Sequence, residues 1–130
     1  MFELELPMPT VRHRRRDKLL SLNLYRNLHY QSKNKAKQNY HQIVKNKILE
    51  KYTNINFEFK NNISINYKIF FSRKNRKDLM NYGSIIDKFF CDSISEIGII
   101  EDDKIPIITK VSFEFGGYCN TDKVIVRIIA

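Results

Sequence analysis

The sequence predicts an α+β domain in which a small mixed β-sheet carries two main helices, in the order β-α-β-α-β-β. Two periodicities predict it. Apolar residues alternate with polar ones in the stretches 2–6 and 63–71, the repeat of a half-buried strand, and recur every three to four residues in two other stretches, the repeat of an amphipathic helix. Size is the third observation. A chain of 130 residues, 42% hydrophobic and 28% charged, matches one folded domain spanning residues 1–130.

The elements follow in order. Phe2, Leu4 and Leu6 alternate with Glu3 and Glu5, a short strand that Pro7 and Pro9 end. Residues 10–31 read as a long basic loop, with Arg14-Arg15-Arg16 near its start and Arg26 near its end. Loops of that length in compact domains usually carry function. Ser32 is the predicted N-cap of a helix running to about Lys51. Tyr40, Ile43, Val44, Ile48 and Leu49 give that helix an apolar stripe, while Lys33, Lys35, Lys37, Lys45 and Lys47 cover the rest.

Asn61-Asn62 marks a turn. Ile63, Ile65, Tyr67 and Ile69 then alternate with Ser64, Asn66 and Lys68 in a strand reaching Phe71. The basic run Arg73-Lys74-Asn75-Arg76-Lys77 follows. A second helix is predicted over 80–97, stopped by Gly98. A strand over 107–115 is broken by Gly116-Gly117, and the β-branched segment 123–129 is the last strand.

Composition bounds the function. Cys91 and Cys119 form no CxxC, and His13, His29 and His41 are scattered, so no thiolate or imidazole metal pattern is present. Free thiols and no disulfide imply a reducing, cytoplasmic setting. No apolar run is long enough to span a membrane, and the N-terminus lacks a signal-peptide pattern. The Asn-, Ile- and Lys-rich composition reads as that of an AT-rich genome.

Charge is divided. Residues 1–77 carry 18 Lys and Arg against 5 Asp and Glu, a net +13; residues 78–130 carry 5 against 9, a net −4. A basic surface suits a phosphate backbone, because each neutralised phosphate releases counterions. A solvated basic face without a partner is the plainer alternative. Acidic groups beside DNA are unfavourable unless a divalent cation binds them.

The second helix concentrates the informative residues. Tyr82, Ile86, Phe89, Phe90, Ile94 and Ile97 share its core face, and Asn81, Ser84, Lys88, Asp92 and Ser95 line the opposite one. Asp87 falls at the edge of the apolar face. Asp78 precedes the helix and Asp102-Asp103 follow it. Taken singly, Asp78 reads as an N-cap and Lys88–Asp92 as a surface i,i+4 pair.

Taken together, Asp78-Leu-Met-Asn81, Lys88-Phe-Phe-Cys-Asp92 and Gly98-Ile-Ile-Glu-Asp102-Asp103 resemble the signature of RusA-type Holliday junction resolvases, D-x-D-N-x-x-K-x-x-x-D followed by G-x-x-x-D-D. The opening Leu6-Pro-Met-Pro9 and Ser21-Leu-Asn23 is similar too, so the resemblance spans nearly the whole chain. Met80 stands where the pattern has its second acid, and Lys88 comes four residues late, about one helical turn.

The resemblance implies an endodeoxyribonuclease that resolves four-way junctions by paired cuts, acting as a homodimer. It implies Mg²⁺, or Mn²⁺, held by Asp78, Asp92 and Asp103. It implies Asp78, Lys88 and Asp103 as the catalytic set, with Asn81 and Asp102 supporting. Arg14, Arg15, Arg16, Arg26, Lys33, Lys35, Lys37, Arg73, Lys74, Arg76 and Lys77 are the expected DNA-backbone contacts. Two further readings stay open: a branched-DNA binder that does not cut, and a basic protein that inhibits a nucleic-acid enzyme by occupying it.

Overall fold

The computed structural model describes residues 2–52 and 58–130. The strands are β1 (Phe2–Pro7), β2 (Thr10–His13), β3 (Arg16–Leu19), β4 (Ile63–Phe71), β5 (Ile108–Tyr118) and β6 (Lys123–Ile129). The helices are α1 (Leu22–Arg26), α2 (Tyr30–Lys51) and α3 (Leu79–Ile97). The predicted α+β class and the order of its main elements are what is found.

The main sheet runs β1-β6-β4-β5. β6 pairs antiparallel with both β1 and β4, and β4 pairs parallel with β5, the connection that carries α3. Alternation decides which face is covered. Ile63, Ile65, Tyr67, Ile69 and Phe71 of β4 are buried, as are Val124, Val126 and Ile128 of β6. From the helical side, α3 contributes Ile85, Ile86, Phe89, Phe90 and Ile94, and α2 contributes Ala36, Tyr40, Val44 and Ile48. Burying each large apolar side chain is worth about 1.5–3 kcal/mol, so this single layer is the main source of stability. The uncovered face is polar: Arg127 meets Glu3 at 2.6 Å and Lys123 meets Glu5 at 3.0 Å.

Four expectations are corrected in detail. Residues 10–31 are not a loop: β2 and β3 form a hairpin, and α1 follows with Ser21 as its N-cap, its Oγ accepting from the Leu24 amide at 3.1 Å. The hairpin escapes a sequence reading because its two turn residues are Arg14 (φ 47°) and Arg15 (φ 68°). Two-residue hairpin turns of this hand usually announce themselves with Asn or Gly.

Next, α2 begins at Tyr30, where His29 Nδ1 accepts from the Gln31 amide at 3.2 Å, so Ser32 lies inside the helix. Its buried residues keep a strict four-residue spacing, which leaves Ile43 and Leu49 at 36% and 43% exposure. Last, β5 runs on through Gly116 and Gly117 to Tyr118. The Phe70 ring lies where a Gly116 Cβ would be, 2.6 Å away, and the register slips by one residue between Ile69/Phe115 and Phe70/Gly117. The glycines make a bulge in the strand rather than its end.

Gly98 stops α3 as expected, with φ 94° and its amide donating to the carbonyls of Ile94 and Ser95. Nothing lies within 4 Å of a Cβ placed there, so only the backbone conformation opposes a side chain. Gly98→Ala is therefore expected to cost about 1–2 kcal/mol in denaturant unfolding with no change of fold.

Candidate nucleic-acid interface and acidic cluster

Seven of the eleven expected DNA-contacting residues lie on two segments that the fold brings together, and Arg26, Lys33, Lys35 and Lys37 lie on α1 and α2. The β2–β3 hairpin and the loop 72–77 enclose a cleft of about 690 Å³ with Arg14, Arg16, Lys18, Arg73 and Lys77 on its walls. Both carboxylates in the cleft are engaged: Asp122 accepts from the Ser72 amide at 2.8 Å, and Asp17 pairs with Arg12 at 3.5 Å. On the other side of the hairpin, Lys35 of α2 joins Arg12 and Asp17 in a second, smaller hollow. Asp17 borders both, so the hairpin links the α2 lysines to the 73–77 run.

Individual members differ. Arg14, Arg15, Arg16, Arg26, Lys35, Arg73, Lys74 and Arg76 are exposed. Lys33 lies over the Tyr25 ring at 5.3 Å, and Lys77 over the Phe71 ring at 4.9 Å. Lys37 is occupied: its ammonium meets Asp92 across the α2–α3 contact at 3.0 Å, and that hydrogen bond raises its pKa. Asp92 thus pairs with Lys37 instead of forming the expected surface pair with Lys88, which stands exposed one turn earlier on α3.

Asp78 is the N-cap of α3, its Oδ1 accepting from the Met80 amide at 3.0 Å. Asn81 is also engaged, accepting from the Asn23 amide at 3.1 Å and so tying α1 to α3. Asp92 lies fourteen residues on from Asp78, about 21 Å along the axis at the usual rise of about 1.5 Å per residue. The helix therefore sets the cap apart from the other acids.

Those other acids converge. After Gly98 the chain turns back along α3. The Asp103 amide donates to Asp102 Oδ1 at 2.7 Å. The Asp103 carboxyl is raised above its ordinary 3.8 by partial desolvation, then by the hydrogen-bonded Asp102 carboxyl, and further by Asp92. Asp103 is exposed as a residue, so the crowding of carboxylates is the firmer part of that account.

Asp87 lies at the edge of the apolar face of α3, where the sequence places it, and is engaged there. Its Oδ1 accepts from the Tyr67 hydroxyl at 2.7 Å and from the Cys91 thiol at 3.3 Å. Burial pushes the Cys91 thiol up, and the charges of Asp87, its hydrogen-bond partner, and of Asp103 push the same way. The available signal was a carboxylate at an apolar edge, one turn before a buried cysteine and facing the inward Tyr67.

No group of three His, Cys, Asp or Glu among the described residues is arranged to hold a metal ion. A cage built on Asp78, Asp92 and Asp103 does not fit, because α3 holds its first member apart. Mg²⁺, however, commonly takes one or two protein carboxylates and completes its shell with water and phosphate oxygens. The Asp102–Asp103 pair could serve as such a donor set, while Asp92 is engaged by Lys37. The chain matches no protein-family model and no curated protein. Among the described residues no helix is long and apolar enough to cross a membrane.

The raised Asp103 carboxyl has a definite linkage sign. A carboxyl whose folded pKa lies above its unfolded one destabilises the fold above that window and ceases to do so as pH falls through it. Asp103→Asn is expected to raise the melting temperature at pH 7. The gain should shrink as pH is lowered toward the ordinary carboxylate value of about 4. Thermal melts of both proteins across that range check it.

Proposed function

We propose that the chain is a divalent-cation-dependent endodeoxyribonuclease for branched DNA, four-way junctions above all. The observation that carries the reading is the Asp102–Asp103 pair, the Asp103 amide donating to Asp102 Oδ1 at 2.7 Å and each carboxylate crowding the other, on a protein of net charge +9; Lys104 approaches Asp102 only at 3.9 Å, and Asp92 is held by Lys37. Such crowding is unfavourable alone and is relieved by a cation. Mg²⁺ held there would polarise a scissile phosphate and lower the pKa of a bound water.

The chain's own residues do the rest. Tyr67 donates its hydroxyl to Asp87 at 2.7 Å and so fixes that carboxylate against the sheet. Lys88, exposed one turn before Asp92, is available to offset charge developing on the phosphate. The hairpin and the 73–77 run, at the N-terminal end of α3, grip the backbone away from the acids that follow the helix. Paired cuts across a junction call for a two-fold homodimer. The resemblance to RusA-type resolvases supports this reading over its central motifs.

Incubation with a synthetic four-way junction tests it. Symmetric nicks in opposing strands with Mg²⁺ or Mn²⁺, and none in EDTA, are expected. Binding without nicks in either cation would contradict it. A second reading is favoured by Asp78 serving as a helix cap and by Met80 in place of an acid: the same scaffold holding branched DNA without cutting. The same assay separates the two.

A further inference from the structure

Beyond the basic cleft lies a second hollow that the nuclease reading does not use. It has a volume of about 450 Å³ and is lined by Phe71, Arg76, Lys77, Leu79, Phe115 and Tyr118. It shares Asn75 and Lys77 with the cleft beneath the hairpin, so the two are neighbours across the same loop. Its aromatic walls are open. Phe115 is 49% exposed and Tyr118 48%, their rings meeting edge to face at 5.1 Å. The Phe115 ring also stacks on Phe71 at 6.3 Å, and Lys77 covers the other part of Phe71. Large rings half in water at the edge of a sheet, flanked by arginine and lysine, are costly unless something covers them.

The geometry points to an unpaired nucleic-acid strand as the occupant, its phosphates in the hairpin cleft and a base on the Phe115–Tyr118 surface. Charge selects a polyanion: among the described residues Arg14, Arg16, Lys18, Arg73 and Arg76 line the two hollows without an ion pair, while Asp17 and Asp122 are bound internally. The aromatic surface then selects a strand whose bases are unstacked, because a duplex presents only its backbone and groove edges. The pairing of a cationic track with aromatic platforms is the general means of holding single strands. This inference rests on the nucleic-acid half of the reading above and not on cleavage. It assigns the end of α3 opposite the acidic cluster to an unpaired arm or displaced strand.

Fluorescence anisotropy in EDTA tests it without any cation. The probes are an oligo-dT strand of about 12 nucleotides, an abasic strand of equal length, and a blunt duplex. Phe115→Ala and Tyr118→Ala are each expected to weaken oligo-dT binding by about 5- to 100-fold, the loss of one stacked base. Abasic-strand and duplex affinities should stay within about twofold. Phe115→Leu, which keeps apolar contact with Phe71, should lose affinity like the alanine variant. Tyr118→Phe, which keeps the ring, should restore it.

Unchanged oligo-dT binding in both alanine variants would overturn the inference while leaving a backbone-gripping nuclease intact. So would an abasic strand that binds the parent as well as oligo-dT. Equal aromatic dependence for polyglutamate would overturn it in favour of an acidic protein partner. A parent that binds none of the three DNA probes would remove this inference and the nucleic-acid reading together.

Discussion

Asp103→Asn is expected to cut a four-way junction at least about 100-fold more slowly than the parent while holding it as tightly, and Asp78→Asn to cut at close to the parental rate. The magnitude is the minimum for a group that holds the cation, since even partners of such ligands cost about 10- to 100-fold when removed. The contrast follows from α3. Asp78 spends its carboxylate on the Met80 amide and sits about 21 Å along the axis from Asp92. Asparagine caps a helix about as well as aspartate does, so Asp78→Asn leaves that function in place. Asp103 has the Asp102 carboxyl against it, and asparagine there removes a charge that has no ion-pair partner among the described residues. Single-turnover cleavage and junction binding, measured on both variants, separate the roles. A reversed order, with Asp78→Asn inactive and Asp103→Asn active, would move the chemistry to the helix N-terminus.

The second large effect is on stability. Phe89→Ala is expected to cost about 3–5 kcal/mol, a large share of the roughly 5–15 kcal/mol that holds a domain of this size. Phe89 is 1% exposed. Its ring meets Tyr25 of α1 edge-on at 5.7 Å and Tyr40 of α2 at 6.1 Å, so all three helices meet on it. Tyr40 in turn donates to the Pro7 carbonyl at 2.7 Å, which ties α2 to the end of β1 just before the basic hairpin. Loss of the ring leaves a cavity at that junction, and DNA binding should fall as the folded fraction falls. Denaturant unfolding measures the cost. A loss below about 1 kcal/mol would mean that the three helices close around the vacancy.

Much of the fold could be read in advance because burial writes a period into the chain. β4 alternates without exception from Ile63 to Phe71, and α3 carries its core face and its Gly98 stop in plain view. The hairpin was hidden because β2 and β3 are four residues each, half of them charged, and turned by two arginines. Their fold depends on pairing and on Val11 and Leu20 reaching the core, which no local pattern encodes. The candidate site was legible only in part. Asp102 and Asp103 were marked by their adjacency, and the basic run by its charge. Convergence could not be read, because it depends on how the chain turns back after Gly98. Asp87 was hidden by its place beside the apolar face, since its partners Tyr67 and Cys91 come from a strand and the next helical turn. Phe115 reads as an ordinary strand residue and Tyr118 falls beyond the predicted strand, because their exposure follows from β5 continuing through Gly116-Gly117 at the sheet edge.

The central claim is that a divalent cation is held by the acids that follow α3. Mn²⁺ titrated into the ¹⁵N-labelled protein, with amide signals followed by NMR, tests this most directly. Paramagnetic broadening should centre on Asp102 and Asp103 and extend to Asp92 and Asp87, with Asp78 and Leu79 retaining their intensity. Asp103→Asn should abolish the effect. Broadening centred on Asp78, or none that depends on Asp103, would contradict the account.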